Sequence, residues 1–194
     1  MGKAALQMEE SHEPQLDSEV VATFQEIKDL FEVDFVPEFF KPLANSPSGL
    51  RGIWNIYKST LFAGEIPRSI KELIFLAIAI QNKCVYCTSI HMAISHQMKL
   101  PEMTDLLGGL ENVKNTRLRL ILQKALKSVN SPRSMSQQDY EELEEASLSK
   151  SEIIEVFGMA SFSISVVKLA QSLKVEVDEQ VTKYLNENKL VCPV

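Results

Sequence analysis

The stretch 67–100 leaves few folds open to this chain. It holds the longest unbroken apolar run, residues 73–80, together with two of the three cysteines and two of the three histidines. Cys84 and Cys87 form a Cys-x-x-Cys pair, His91 follows Cys87 by four residues, and Glu72 precedes Cys84 by twelve. On a helix at ~100° per residue, Cys84, Cys87 and His91 fall within roughly 60° of one another. The i,i+4 spacing of Cys87 and His91 lets the imidazole take or hold the thiol proton. A break at Asn82 and Lys83 would start a new helix at Cys84, where the helix N-terminus lowers a thiol pKa.

Glu72 joins this group only if the chain turns back. One straight helix would put Glu72 and His91 nearly 30 Å apart at ~1.5 Å per residue. A reversal near residues 81–83 leaves Glu72 about 14 Å before the turn and His91 about 11 Å after it, which brings them level. A carboxylate beside an imidazole fixes its tautomer and raises its basicity. The residues alone leave open which thiol attacks, since Cys84 has the helix N-terminus and Cys87 has His91.

The pattern Glu-x11-Cys-x-Tyr-Cys-x3-His, preceded by Pro-Arg-Ser-Ile-Lys-Glu-Leu-Ile, resembles the core of the alkyl hydroperoxidase D / carboxymuconolactone decarboxylase superfamily. Val36-Pro37-Glu38-Phe39-Phe40 and Leu43-Ala44-Asn45-Ser46-Pro47 resemble its peroxidase-related members, and the likeness covers roughly residues 33–180. It implies an all-α, AhpD-like bundle with the Cys-x-x-Cys hairpin at its centre, and a homo-oligomer, trimeric or hexameric. It also implies a peroxidase in which Cys87 becomes the sulfenic acid, Cys84 resolves it, and His91 with Glu72 relays protons. No cofactor is implied. The reductant implied is a dithiol, a lipoyl carrier or a peroxiredoxin. One departure stands out: Tyr86 occupies the place of a second relay histidine found in some members, and a phenol with pKa near 10 is no base near neutrality.

The flanking segments read mostly as helix. Residues 1–16 are polar and aperiodic, an expected flexible arm carrying a solvated His12, and 17–190 read as one helical domain. Helices are expected over 17–31, 48–62, 67–81, 84–98, 116–129, 149–172 and 179–188, with short ones within 100–109 and 139–146. The 139–146 helix reads as an acidic, solvated face. Trp54 and Tyr57 read as core rather than substrate entrance, and His96, about 140° from His91 around the helix, as structural. The 67–81 helix is apolar nearly all round, which suits the middle of a bundle or a subunit interface and predicts a homo-oligomer. Residues 151–154 resemble 71–74 at an offset of eighty, which sets Ile164, Val167 and Gln171 opposite Cys84, Cys87 and His91 and predicts a second helix pair.

Composition narrows the function. The 194 residues, 45% hydrophobic, suffice for one domain with a core. A net charge of −6 with no basic block argues against nucleic acid as a partner. The apolar run of eight is too short for a bilayer, no signal peptide opens the chain, and three cysteines fit a reducing cytoplasm. Cys192 stands third from the end, wrong for a prenylation box, and reads as an incidental thiol. Three functions compete. Redox cycling of Cys84 and Cys87 on a peroxide is favoured, with a reversible disulfide and Cys87 more acidic than a free thiol. A zinc site would use Cys84, Cys87, His91 and Glu72. Lactone decarboxylation, the superfamily's other branch, needs no cysteine pair.

Overall fold

The structure, a computed structural model, describes residues 17–194, so the expected N-terminal arm with His12 lies outside the described residues. Helices and turns make up the regular structure of the described residues, and no strand occurs among them. Local signals start most of the helices. The Asp17 carboxylate accepts the Glu19 N–H at 2.7 Å and opens α1 (Ser18–Phe31). Ser46 caps α2 (Pro47–Leu61), whose first residue is a proline that has no N–H to lose. After α3 (Arg68–Gln81) and α4 (Val85–Gln97) come the short α5 (Glu102–Leu107) and α6 (Thr116–Asn130), the latter capped by Asn115. Then follow α7 (Gln137–Glu145), α8 (Lys150–Ser172), opened by a reciprocal Ser149–Glu152 capping box, and α9 (Glu179–Glu187).

α3 is the axis of the bundle. Nine consecutive residues, 71–79, are buried, because α4, α6 and α8 pack around it. The apolar circumference of α3 is therefore covered by its own chain, and it no longer argues for a second subunit. α8 corrects the expected repeat. It runs unbroken for 23 residues, so the weak repeat yields one helix where a pair was expected, with Ile164 and Val167 inside it. It is also long and apolar enough to cross a membrane by length and composition, yet half of its most apolar window is buried in the fold, as in a core helix.

Two buried charges show how polar groups are accommodated. Lys71, 2% exposed, donates to the Ala63 carbonyl and pairs with Glu155 at 3.3 Å. Against the cost of its burial, the N–H groups of Glu65 and Ile66, at 2.7 and 3.0 Å, together with Lys71 hold the Glu155 carboxyl below its ordinary range. The chain wraps tightly around that carboxylate, and Gly64 adopts φ +96° there, where a Cβ would fall 2.3 Å from Glu155 Oε2. α7 is not wholly a solvated face. Asp139 is buried, paired with Lys124 at 2.6 Å and Lys127 at 2.7 Å, and closes a capping box with Ser136.

Candidate active site

The α3–α4 hairpin builds the site. Asn82 ends α3, Lys83 takes a left-handed conformation (φ 52°), and Cys84 N–H returns to Ala79 O at 3.0 Å. Cys84 is then the N-cap of α4: its Sγ accepts the Cys87 backbone N–H at 3.3 Å. Both thiols are free, and both are buried.

The neighbouring Cys87 makes Cys84 the more acidic thiol of the pair. Donation from the Cys87 thiol lowers the Cys84 pKa most, burial opposes it, and the Cys87 N–H and the Lys168 charge lower it further, to about 7. Cys87 is pushed strongly upward, because it donates to Cys84, is desolvated, and faces the Cys84 charge. The low-pKa thiol expected at Cys87 is therefore Cys84, and Cys87 holds its proton. The helix terminus and the neighbouring thiol outweigh His91 because, among the described residues, His91 makes no hydrogen bond to Cys87.

His91 turns instead to Glu72, with Nδ1 and Oε2 at 2.7 Å. The hairpin thus sets the two level. A carboxylate accepting from Nδ1–H assigns the proton to Nδ1 and leaves Nε2 as the acceptor. Glu72, with its side chain fully buried, also accepts from Arg68 Nε at 3.2 Å, and the imidazole stacks on Phe75 with centroids 3.7 Å apart. The four residues form two pairs, thiol with thiol and imidazole with carboxylate. Among the described residues, no three His, Cys, Asp or Glu side chains converge as the donors of one metal ion would, so the zinc alternative loses its donor set.

Cys87 and His91 both line a cavity of about 490 Å³, whereas Cys84 and Glu72 lie outside its lining. Its walls are mostly apolar, with Phe39, Tyr57, Phe75 and Tyr86 among them, and Arg68 and Asp178 bring charge to the lining. Tyr57 is both core and wall, since it packs with Phe162 in a T-shaped pair, centroids 4.7 Å apart, and also lines the cavity. Tyr86 stacks on Phe39 and its hydroxyl accepts the Phe39 N–H at 3.2 Å. Burial raises its pKa well above 10, so it stays a neutral phenol.

Sequence reading missed the outer wall. α9 contributes Val181 and Tyr184, and the segment before α2 contributes Phe35 and Pro37. Asp178 binds these together: its Oδ1 accepts the Glu38 N–H at 2.8 Å, and burial raises its pKa. Tyr184 is in turn held by His96, Nδ1 to Oη at 2.7 Å, which gives that histidine its structural role. The spacing of Val181 and Tyr184 marks an apolar stripe on α9, but nothing in the sequence says which cavity the stripe covers.

Residues 47–102 match the carboxymuconolactone decarboxylase family. No curated protein matches the chain in sequence. Among solved structures, the chain is similar to an alkylhydroperoxidase AhpD core, an uncharacterized peroxidase-related protein from Ralstonia eutropha JMP134. The TM-score is 0.80 and identity 21%, covering 88% of this chain and 90% of that one. A peroxidase-related protein from Silicibacter sp. TM1040 gives a TM-score of 0.76 at 18% identity, covering 93% and 95%. The debrominase Bmp8, as a Cys-to-Ala variant in complex with 2,3,4-tribromopyrrole, gives 0.73 at 17% identity, covering 96% and 98%.

Proposed function

We propose that this chain, whose residues 47–102 match the carboxymuconolactone decarboxylase family and whose fold is that of an AhpD core, is a dithiol peroxidase acting on apolar organic hydroperoxides. One observation carries the reading. Cys87 and His91 open together on a cavity with Phe and Tyr side chains in its wall, and Cys84, whose Sγ accepts the Cys87 N–H, lies outside that lining. At about 490 Å³ that cavity far exceeds the needs of hydrogen peroxide and suits a molecule with a hydrocarbon body.

The reduced site starts as Cys84–S⁻ and Cys87–SH. As a hydroperoxide meets Cys87, the Cys87 proton passes to Cys84, and the Cys87 sulfur attacks the terminal oxygen of the O–O bond. An S–O bond forms, the O–O bond breaks, and the departing alkoxide takes a proton through His91 and leaves as an alcohol. Cys84, deprotonated again, attacks the sulfenic sulfur and expels hydroxide, which leaves as water once protonated. The net change consumes one hydroperoxide and one proton, and yields one alcohol, one water and a Cys84–Cys87 disulfide. An external dithiol returns the pair to its reduced form; a lipoyl carrier or a peroxiredoxin fits that role. Glu72 orients His91 throughout and never meets the substrate.

The test compares cumene hydroperoxide with hydrogen peroxide at equal concentration, with dithiothreitol as reductant. The expected result is faster turnover of the bulky peroxide, loss of activity in Cys87→Ser, and a sulfenic acid trapped on Cys87 in Cys84→Ser. Reduced protein that consumes neither peroxide, with both thiols intact, would overturn the reading. A second reading rests on the same apolar cavity. The dithiol would deliver its two electrons to a carbon–bromine bond, as the activity named for the structurally similar debrominase suggests. Bromide release from a brominated aromatic, with no hydroperoxide turnover, would favour it. Lactone decarboxylation fits least, because it leaves the thiol pair without a task.

A further inference from the structure

The turn that carries Cys84 is held by a helix outside the hairpin. Asn82 is gripped twice from α8: Lys168 Nζ donates to its Oδ1 at 2.9 Å, and Gln171 Nε2 donates to its backbone carbonyl at 2.8 Å. The Asn82 amide also donates to Ile78 O at 2.9 Å, so one residue ties the end of α3 to α8. Cys84 follows only two residues later, across the left-handed Lys83.

Neither α8 residue is needed to fill the core. Lys168 and Gln171 are both exposed, and polar contacts at such sites add little to stability. Their placement gives them a different use. The side chains acting on the Cys84 thiol are Cys87, from its own helix, and Lys168, the one cation among them, which α8 holds against Asn82 at the end of α3. A cation near the thiolate stabilises the reduced pair and does nothing for the neutral disulfide.

We propose that α8 positions the Cys84 turn through Lys168 and Gln171, and that the Lys168 charge sets the reducing power of the Cys84–Cys87 dithiol. The proposal rests on the dithiol reading above. In the step concerned, Cys84–S⁻ and Cys87–SH lose two electrons and one proton and form the disulfide. Peroxide is the oxidant in turnover, and oxidised glutathione is the oxidant in the test. Lys168 is a positioning residue, since it touches neither substrate nor sulfur.

The experiment uses the full chain with Lys168→Met, Lys168→Arg and Gln171→Leu. Thiolate absorbance against pH reports Cys84, and glutathione redox titration at pH 8.5 reports the potential. Lys168→Met is expected to make Cys84 about threefold less acidic, the size of effect an exposed, screened charge exerts. The potential then falls by about 15 mV, at 29.6 mV per tenfold. Lys168→Arg restores both values, and 1 M salt erases the difference between Lys168→Met and the parent. Gln171→Leu keeps the salt response, because it leaves the charge in place. A Lys168→Met protein with unchanged Cys84 acidity and unchanged potential would overturn the proposal while leaving the dithiol reading intact. A parent protein that forms no disulfide at any glutathione ratio would bring down the dithiol reading, and this proposal with it.

Discussion

Replacing Cys87 with alanine tests the influence of the Cys87 thiol on Cys84 directly. The Cys87 thiol is the largest influence lowering Cys84 to about 7 from the ordinary 9.0. Its loss leaves the Cys87 backbone N–H, 3.3 Å from Sγ, the α4 terminus and Lys168. Cys84 is therefore expected to titrate between about 8 and 9 in Cys87→Ala, as a lightly perturbed thiol does. Full return to 9.0 would be a hundredfold change, at most ~2.7 kcal/mol at ~1.36 kcal/mol per tenfold, and less after solvent screening. The assay is thiolate absorbance and iodoacetamide reactivity against pH, with Cys192→Ser as the background so that one thiol reports. Stability gives an independent view. Cys84 is depressed in the folded state, so its contribution is complete above about 9 and is lost as pH falls through about 7. The reduced parent should gain resistance to urea between pH 7 and 9, and Cys87→Ala should gain much less. A variant whose Cys84 still titrates within half a unit of 7 would refute that influence and assign the low pKa to the helix terminus.

Glu72→Gln should slow peroxide reduction near neutrality and cost ~2 kcal/mol of stability in urea, because a buried imidazole and Arg68 lose their carboxylate. It should leave the Cys84 titration unmoved, since His91 bonds neither sulfur; a shifted titration would contradict that separation. Tyr86→Phe should cost about 1 kcal/mol, the hydrogen bond to Phe39 N–H, with no change in the pH profile of turnover. A lost limb in that profile would make Tyr86 a proton donor after all. Gly64→Ala should destabilise by about 2 kcal/mol or more in urea, because both the +96° φ and the Glu155 carboxylate oppose a Cβ. A neutral result would mean that the turn relaxes freely.

Much of this was legible in residue order, for local reasons. Helix boundaries followed caps that act within three residues, such as Asp17, Ser46, Asn115 and Ser149, and the expected spans meet the observed ones within a few residues. The hairpin that levels Glu72 with His91 followed from helical rise alone. What failed depended on partners distant in sequence. The circumference of α3 read as either the middle of a bundle or a subunit interface, and the choice between them needed α8, some eighty residues later, which covers it. Asp139 read as solvated because Lys124 and Lys127 lie on another helix. The lower pKa fell at Cys84 and not at Cys87, because sequence spacing gives His91 a reach to Cys87 while tertiary packing turns its ring to Glu72 and Phe75.

The cavity walls carry a consequence for how such proteins diversify. Every reactive side chain, from Glu72 to His91, falls within the family-matching region 47–102, while Phe31, Phe35, Phe39, Asp178, Val181 and Tyr184 fall outside it. The inner wall, with Tyr57, Phe75 and Tyr86, shares the middle of the chain with the Cys84–Cys87 pair, while the outer wall comes from its two ends. Mutation at the ends would reshape that outer wall without touching the Cys84–Cys87 pair. A chimera that keeps 47–102 and borrows both flanks from a structural relative would exchange the outer wall and keep the Cys84–Cys87 pair with its inner wall.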